Sequence, residues 1–115
     1  MKYLLTTAIS LLMTSTPALA DSTHLRASWY GPGFHGRLTA SGDVYDMHGY
    51  TAAHKSLPFG TRLLVCNSTA HKCVEVVIND RGPFIYGRDI DLSFGAAKAI
   101  DLVDAGVANV QVFSL

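Results

Sequence analysis

Asp80 has the residue type and the surroundings that acid–base chemistry needs. It follows the apolar run 73–78 and precedes a Gly-Pro turn, where a strand presents side chains instead of packing them. The alternative is that Asp80 only hydrogen-bonds its own turn, because Asp is frequent there. The adjacent Arg81 is a candidate local partner or substrate contact, with an ordinary surface pair as the alternative.

A second group of candidates precedes it in the chain. Asp43 and Asp46 lie within one polar segment, and paired carboxylates are the equipment of glycan cleavage. Solvated loop acids are the alternative reading of both residues. His54 lies in a small-residue stretch and could orient a carboxylate or shuttle a proton. A structural histidine remains its alternative.

Other catalytic chemistries find no support in the sequence. No histidine pair has the H-x-x-x-H or HExxH spacing of a metal site, since the five histidines are scattered at positions 24, 35, 48, 54 and 71. No serine occupies a G-x-S-x-G elbow. We therefore expect neither a metal nor an organic cofactor.

Size and charge exclude several classes of protein. The chain has 115 residues, too few for a TIM barrel or a dinucleotide-binding fold. Its 9 Lys and Arg balance 9 Asp and Glu, so no basic surface is available to follow a phosphate backbone. A nucleic-acid partner is not expected.

Residues 1–20 have the pattern of a cleaved secretory signal. A short positive start precedes the apolar run 4–13, which is too short to span a bilayer as a mature helix. A small-x-small sequence then ends at Ala20. We expect cleavage before Asp21 and a single mature domain, 21–115. No Cys adjoins the cleavage site, so the expected product is exported and soluble, in the periplasm or the medium.

Cys66 and Cys73 flank a polar stretch between two apolar runs. In an exported chain this pattern predicts a hairpin closed by a disulfide near its tip. Closing an eight-residue loop stabilises the fold by about 2.5 kcal/mol. A reactive thiol pair or two metal ligands are the alternatives, but C-x6-C has neither redox nor zinc-finger spacing.

Short strand-like segments make up most of the rest of the chain. Apolar and β-branched residues predict strands at 25–30, 62–66, 73–78 and 107–115. Between the first two, residues 34–47 predict a long, ordered loop. Ser93 can cap a short helix that ends near Ile100. Its buried face would contain Phe94, Ala97 and Ile100. Many short strands and one helix predict an all-β fold, a small closed barrel without exposed sheet edges.

Six linked motifs, in order, resemble the double-psi β-barrel domain of the rare lipoprotein A (RlpA) family. They are Ala-Ser-Trp-Tyr-Gly at 27–31, Phe-His-Gly-Arg at 34–37, Thr-Ala-Ser-Gly-Asp-Val-Tyr-Asp at 39–46, Thr-Ala-Ala-His-Lys-Ser-Leu-Pro at 51–58, Val-Ile-Asn-Asp-Arg-Gly-Pro-Phe at 77–84 and Arg-Asp-Ile-Asp-Leu-Ser at 88–93. The resemblance covers nearly all of residues 21–115. It implies a mainly β fold, a six-stranded double-psi barrel with one or two short helices.

The same resemblance implies an endolytic lytic transglycosylase of peptidoglycan that needs no cofactor. Such an enzyme cleaves the MurNAc–GlcNAc β-1,4 bond and leaves a 1,6-anhydroMurNAc end. The family's catalytic Asp matches Asp80, and its motif His matches His54. Asp43 stands where the family commonly has Glu. The shorter side chain moves the carboxylate by about 1.5 Å, and misplacement on this scale can cost about a hundredfold in rate.

We add to this site a hypothesis for its mechanism and further candidate residues. Asp80 would protonate the glycosidic oxygen, and the resulting carboxylate or a partner would deprotonate the MurNAc 6-hydroxyl. Asp43 and His54 would support the proton network, and all three should line one open groove. Candidate substrate contacts are Tyr30, Tyr45, Arg81 and Phe84.

Two other functions remain open at this point. Related double-psi barrels such as expansins and barwin-like proteins bind polysaccharides, so a non-catalytic glycan-binding or wall-loosening module is the main alternative. The Asp at position 43 favours that alternative. A secreted effector or inhibitor that uses the barrel for protein contacts is the third.

Overall fold

A computed structural model describes residues 22–115. Residues 1–21, including the predicted signal segment, lie outside the described residues. The described chain contains six strands, one 3-10 turn at Pro32–Phe34 and one α-helix, α1, at Phe94–Ala99. The strands are β1 Ser22–Trp29, β2 Thr51–His54, β3 Arg62–Asn67, β4 Lys72–Asp80, β5 Ile90–Leu92 and β6 Ala108–Ser114.

The six strands close into a barrel in the order β1-β5-β2-β4-β3-β6. Two pairs are parallel, β1 with β5 and β2 with β4, and the other pairs are antiparallel. Closure pairs both sides of every strand, so the predicted barrel without free edges is confirmed. The residue pattern alone did not predict β2 and β5, because strands of four and three residues are too short to show alternation.

Aliphatic side chains fill the barrel. In β4 every second residue points inward, at Val74, Val76 and Ile78, while Glu75 faces solvent. Fully burying one such side chain stabilises the fold by about 1.5–3 kcal/mol. The centre of β4 therefore contributes to the core, and residues at the end of the strand are the ones available to form a site at the barrel rim.

Ser93 caps α1 as predicted, and it also anchors the loop before β2. Its hydroxyl accepts a hydrogen bond from the Ala96 amide at 3.2 Å and donates one to the Gly49 carbonyl at 2.7 Å. The Gly95 amide donates to the Met47 carbonyl at 2.7 Å. The helix start therefore holds the end of the long loop 34–47 against the barrel.

The predicted buried face of α1 is partly correct. Ala97 and Ile100 are fully buried, with Ile100 one residue past the helix. Phe94 is only half-buried, and its ring packs against Trp29 with centroids 5.5 Å apart. The prediction for Phe94 was wrong because this first helical residue borders the surface concavity beside α1. Within residues 22–115, no helix has the length and apolar character needed to cross a membrane.

The predicted disulfide joins Cys66 and Cys73, which are directly opposite each other on β3 and β4. Their Cα atoms are 4.0 Å apart. Asp80 ends the same strand β4 seven residues later, about 23 Å away at the usual rise per residue. The bridge thus stabilises the hairpin tip and is remote from the candidate acid.

Candidate active site

A β-bulge directs Asp80 out of the sheet. Ala52 pairs with Ile78 and Ala53 pairs with Asp80, so Asn79 is an extra residue on β4. A bulge bends the strand and re-aims the side chains beside it. Gly82 then adopts a φ of +124°, a conformation that favours glycine, and the chain turns away from the barrel.

Three donors hold the Asp80 carboxylate. Oδ1 accepts the Ala40 and Arg81 amides, both at 2.9 Å, and Oδ2 accepts the Tyr30 hydroxyl at 3.0 Å. All three contacts use the carboxylate as an acceptor, which is the only hydrogen-bonding role that an ionised carboxylate has. They fix its orientation at the mouth of a cavity.

Tyr30 lies on a second aromatic ring that supports it. The rings of Tyr30 and Tyr45 stack with centroids 4.7 Å apart. Burial raises the pKa of the Tyr30 phenol, and the Asp80 carboxylate raises it further, so the hydroxyl stays protonated as a donor. Tyr45 is buried below it and accepts a hydrogen bond from the Phe94 amide at 3.1 Å. The structure places Tyr45 as a support, away from the cavity surface.

An open cavity of about 260 Å³ lies beside Asp80. Its wall combines polar groups with exposed apolar ones, including Asp80, Asp91, Tyr30, Arg81, Phe34 and Phe84. Of the predicted residues, the cavity therefore brings together Asp80, Tyr30, Arg81 and Phe84. A larger concavity of about 530 Å³ lies beside α1, but none of the predicted site residues lines it.

Arg81 connects the cavity to the loop after β2. Its guanidinium donates to the His54 carbonyl at 3.2 Å and to the Leu57 carbonyl at 2.9 Å. The same group lies over the Phe59 ring, 4.1 Å from the centroid. One guanidinium nitrogen, Nη1, makes both of these hydrogen bonds, so Arg81 helps to hold residues 54–59 in place.

His54 lies outside the cavity wall. Its Nδ1 accepts the amides of Ser56 and Leu57, both at 3.1 Å, which places the proton of the neutral ring on Nε2. Burial lowers the pKa of His54, and the Arg81 guanidinium lowers it further, against the opposing effect of Asp89. His54 is therefore a neutral ring that shapes the loop on which Arg81 depends.

Asp43 is exposed and belongs to a turn that contacts the end of β4. The Thr39 amide donates to the Asp43 carbonyl at 2.8 Å, and the Ser41 amide donates to the Asn79 carbonyl at 3.1 Å. This turn also supplies the amide donor to Asp80. The Asp43 carboxylate does not line the cavity. Asp46 accepts the amide of residue 48 and so closes its own turn.

Asp91, on β5, is a cavity residue to which the sequence reasoning gave no role. Ser28 donates to its Oδ1 at 3.0 Å. Burial is the main cause that raises its pKa, and Asp80 adds to the effect. The available signal was the pattern Ile-Asp-Leu, an acid between two inward-facing aliphatic residues at the end of the motif 88–93.

Comparison with known proteins identifies the family to which the chain belongs. A protein-family model described as lytic transglycolase matches residues 22–112. A Synechocystis protein named probable endolytic peptidoglycan transglycosylase RlpA is 60% identical over 86 residues, 75% of this chain and 27% of its own length. The Campylobacter jejuni endolytic peptidoglycan transglycosylase RlpA is 52% identical over 95 residues, 83% of this chain and 34% of its own. The chain thus spans about a third of these relatives or less.

Solved structures show the same fold in more distant proteins. The Streptomyces papain inhibitor superposes with a TM-score of 0.66 at 18% identity, over 84% of this chain and 96% of its own. An expansin from Clavibacter michiganensis gives the same TM-score at 21% identity, over 83% of this chain and 50% of its own. With the family match over almost the whole described chain, these findings show that the protein belongs to the RlpA-type lytic transglycolase family of double-psi β-barrels.

Proposed function

We propose that this chain is an exported lytic transglycosylase that cleaves the MurNAc–GlcNAc β-1,4 bond of peptidoglycan glycan strands and leaves 1,6-anhydroMurNAc ends. Family membership and the names of the relatives support the proposal. The observation that carries it is the Asp80 carboxylate, oriented by three donors at the wall of an open cavity.

Lytic cleavage requires two proton transfers and no water. The departing glycosidic oxygen must gain a proton, and the MurNAc 6-hydroxyl that attacks the anomeric carbon must lose one. The acceptor pattern around Asp80 suits the second transfer and the stabilisation of positive charge at the sugar. This differs from the sequence-based hypothesis, in which Asp80 donates the first proton.

Exposed aromatic residues beside Asp80 support a glycan ligand. Phe84 is 85% exposed and Phe34 is 48% exposed, and both line the cavity. Exposed apolar side chains grouped around a concave polar site are typical of ligand-binding grooves. We assign these rings to the apolar faces of the sugars on either side of the cleaved bond.

Asp43 and His54 are assigned positioning roles in this proposal. The turn that contains Asp43 carries the Ala40 amide to Asp80, and the loop that His54 shapes carries the acceptors of Arg81. Replacing Asp43 by the longer Glu tests whether its carboxylate reaches the substrate, because a side chain that only faces solvent tolerates the change.

Export is part of the proposal, because peptidoglycan lies outside the cytoplasmic membrane. The signal pattern in residues 1–20 supports it. The Cys66–Cys73 disulfide also supports it, since such bonds persist mainly in oxidising compartments.

The experiment is the digestion of purified sacculi with the protein lacking residues 1–20, with mass spectrometry of the soluble products. The proposal expects anhydro-ended fragments from the wild type and a loss of about a hundredfold or more in Asp80→Asn. Asp104→Asn, an exposed acid outside the cavity, is the matched control. Reducing ends in place of anhydro ends would make the protein a hydrolase. Sedimentation with sacculi without release would favour the glycan-binding alternative, which the exposed Asp43 also favours.

A further inference from the structure

Asp91 is a second carboxyl group in the wall of the Asp80 cavity, and the proposed function gives it no role. We propose that Asp91 is the catalytic residue that gives its proton to the glycosidic oxygen, while Asp80 receives the proton of the 6-hydroxyl. This inference rests on the proposed function and names the proton donor that it leaves unassigned.

The strand register places the two acids on one face of the barrel. Ala53 of β2 pairs with Asp91 of β5 on one side and with Asp80 of β4 on the other. Directly paired residues point to the same face of a sheet. Two strand spacings separate the Cα atoms by roughly 10 Å. Both side chains line the same cavity, so a sugar linkage between them can contact both.

The hydrogen bonds of Asp80 and Asp91 differ, as expected if one acid accepts a proton and the other donates one. Both oxygens of Asp80 accept hydrogen bonds, three in total. Asp91 accepts one hydrogen bond, from the Ser28 hydroxyl to Oδ1. Within residues 22–115, no hydrogen-bond donor reaches its Oδ2. A protonated Oδ2 is therefore free to donate toward the cavity.

The surroundings of Asp91 favour its protonated form. Burial raises its pKa and the Asp80 charge adds to this, while the Ser28 hydroxyl and the Arg88 guanidinium oppose it. The phenols of Tyr30 and Tyr45 also face it, and both are kept neutral by burial. A raised pKa at one of two neighbouring acids is the arrangement that separates donor from acceptor in carboxylate pairs.

The step balances without another reactant. The C1–O4 bond breaks with its electron pair on O4, and O4 takes the proton of Asp91. The MurNAc O6 forms the new bond to C1, and its proton passes to the Asp80 carboxylate. Asp91 ends ionised and Asp80 ends protonated. Proton exchange through solvent in the open cavity then restores both groups.

Asp91→Asn is the central variant, because Asn has nearly the same size and its Oδ1 still accepts the Ser28 hydrogen bond. On sacculi we expect a rate at least about a hundredfold below wild type, with sacculus binding and the melting temperature retained. The control is again Asp104→Asn. A rate of Asp91→Asn within about threefold of that control would overturn the inference. Should Asp91→Asn not fold, Asp91→Glu replaces it, and partial activity with the pH dependence described below is expected.

Two further measurements distinguish proton donation by Asp91 from a purely structural role of this residue. A nitrophenyl glycoside of a GlcNAc–MurNAc disaccharide has a leaving group that departs without a proton. On this substrate Asp91→Asn should keep most of the wild-type rate, whereas Asp80→Asn should lose it. Equal losses on both substrates would contradict proton donation by Asp91. On sacculi, the wild-type rate should fall as rising pH passes through the pKa of Asp91, and the residual rate of Asp91→Asn should lack that fall.

The two proposals fail in different ways. If the wild type releases no anhydro-ended product, the proposed function fails as a whole. If the wild type is active and Asp80→Asn is not, but Asp91→Asn matches the control, only the inference about Asp91 is overturned.

Discussion

Tyr30→Phe tests whether the hydrogen bond to Asp80 contributes to catalysis. Within residues 22–115, the Tyr30 hydroxyl is the one side-chain donor to the carboxylate, at 3.0 Å; the change removes it and leaves both amide donors in place. The Phe ring keeps the stacking on Tyr45. The perturbation is therefore confined to one hydroxyl group.

The expected size follows from the exposure of the site. A hydrogen bond to a charged group contributes about 1.5–3 kcal/mol. Water from the open cavity can replace the lost hydroxyl, so the lower end applies. A loss of about 1.5 kcal/mol in transition-state stabilisation lowers the rate about tenfold. Because burial and Asp80 raise the pKa of Tyr30, its hydroxyl remains a donor at neutral pH, and the ratio of wild-type to variant rates should not change between about pH 6 and 8.

The assay is the initial rate of anhydro-ended product release from sacculi, with the melting temperature measured in parallel. Tyr50→Phe is the control, because this tyrosine is 53% exposed and does not line the Asp80 cavity. Two results would refute the reasoning. A rate within about twofold of wild type would show that the two amides alone hold Asp80. A loss as large as that of Asp80→Asn would show that the Tyr30 hydroxyl takes part in the chemistry itself.

Three further predictions concern stability. Replacing Cys66 and Cys73 together by Ser should lower the free energy of unfolding by about 2.5 kcal/mol. In thermal denaturation this corresponds to a fall in melting temperature of about 10–20 °C. The catalytic rate at 25 °C should stay at the wild-type level, and a parallel loss of rate would contradict the conclusion that the disulfide is remote from the site. Gly95→Ala should destabilise the protein by about 1–3 kcal/mol although Ala favours helices, because the new Cβ would lie 2.7 Å from a backbone carbonyl oxygen. The control is Gly33→Ala, which has open space around it and should leave the melting temperature unchanged in the same denaturation experiment. The pKa of His54 is lower in the folded protein than in the unfolded chain, so as pH falls the unfolded chain takes up this proton before the folded protein does. The wild type should therefore lose stability as pH falls through about 6.5. His54→Asn, which keeps a hydrogen-bond acceptor, should lose less between about pH 7.5 and 5.5 in melting-temperature measurements, and an identical profile would contradict the role given to His54.

Local sequence carried enough information for the elements that depend on local physics. The hairpin of β3 and β4 followed from alternating β-branched residues, and its disulfide followed from two cysteines at either side of a polar turn. The cap of α1 followed from Ser93, since a hydroxyl before a helical run satisfies a free amide. These features need only residues close in the chain.

The resemblance contributed what the local pattern lacked. The six-stranded closure was expected from the linked motifs, because two of the strands are too short to be recognised by periodicity. The same motifs identified Asp80 as the candidate acid. The sequence-based hypothesis gave Asp80 the first proton transfer, whereas the three donors around its carboxylate favour the proposed role in the second.

Tertiary structure alone decided how the site is assembled. Two of the three donors to Asp80 come from residues that are 50 and 40 positions away in sequence, and Asp91 reaches the same cavity through the pairing of β5 with β2. It also separated Tyr45, which is buried, from Phe84, which is exposed, although both are aromatic residues in predicted loops. Burial and strand register are properties of long-range pairing, and they determine that the pKa of Asp91 is raised and which side chains line the cavity.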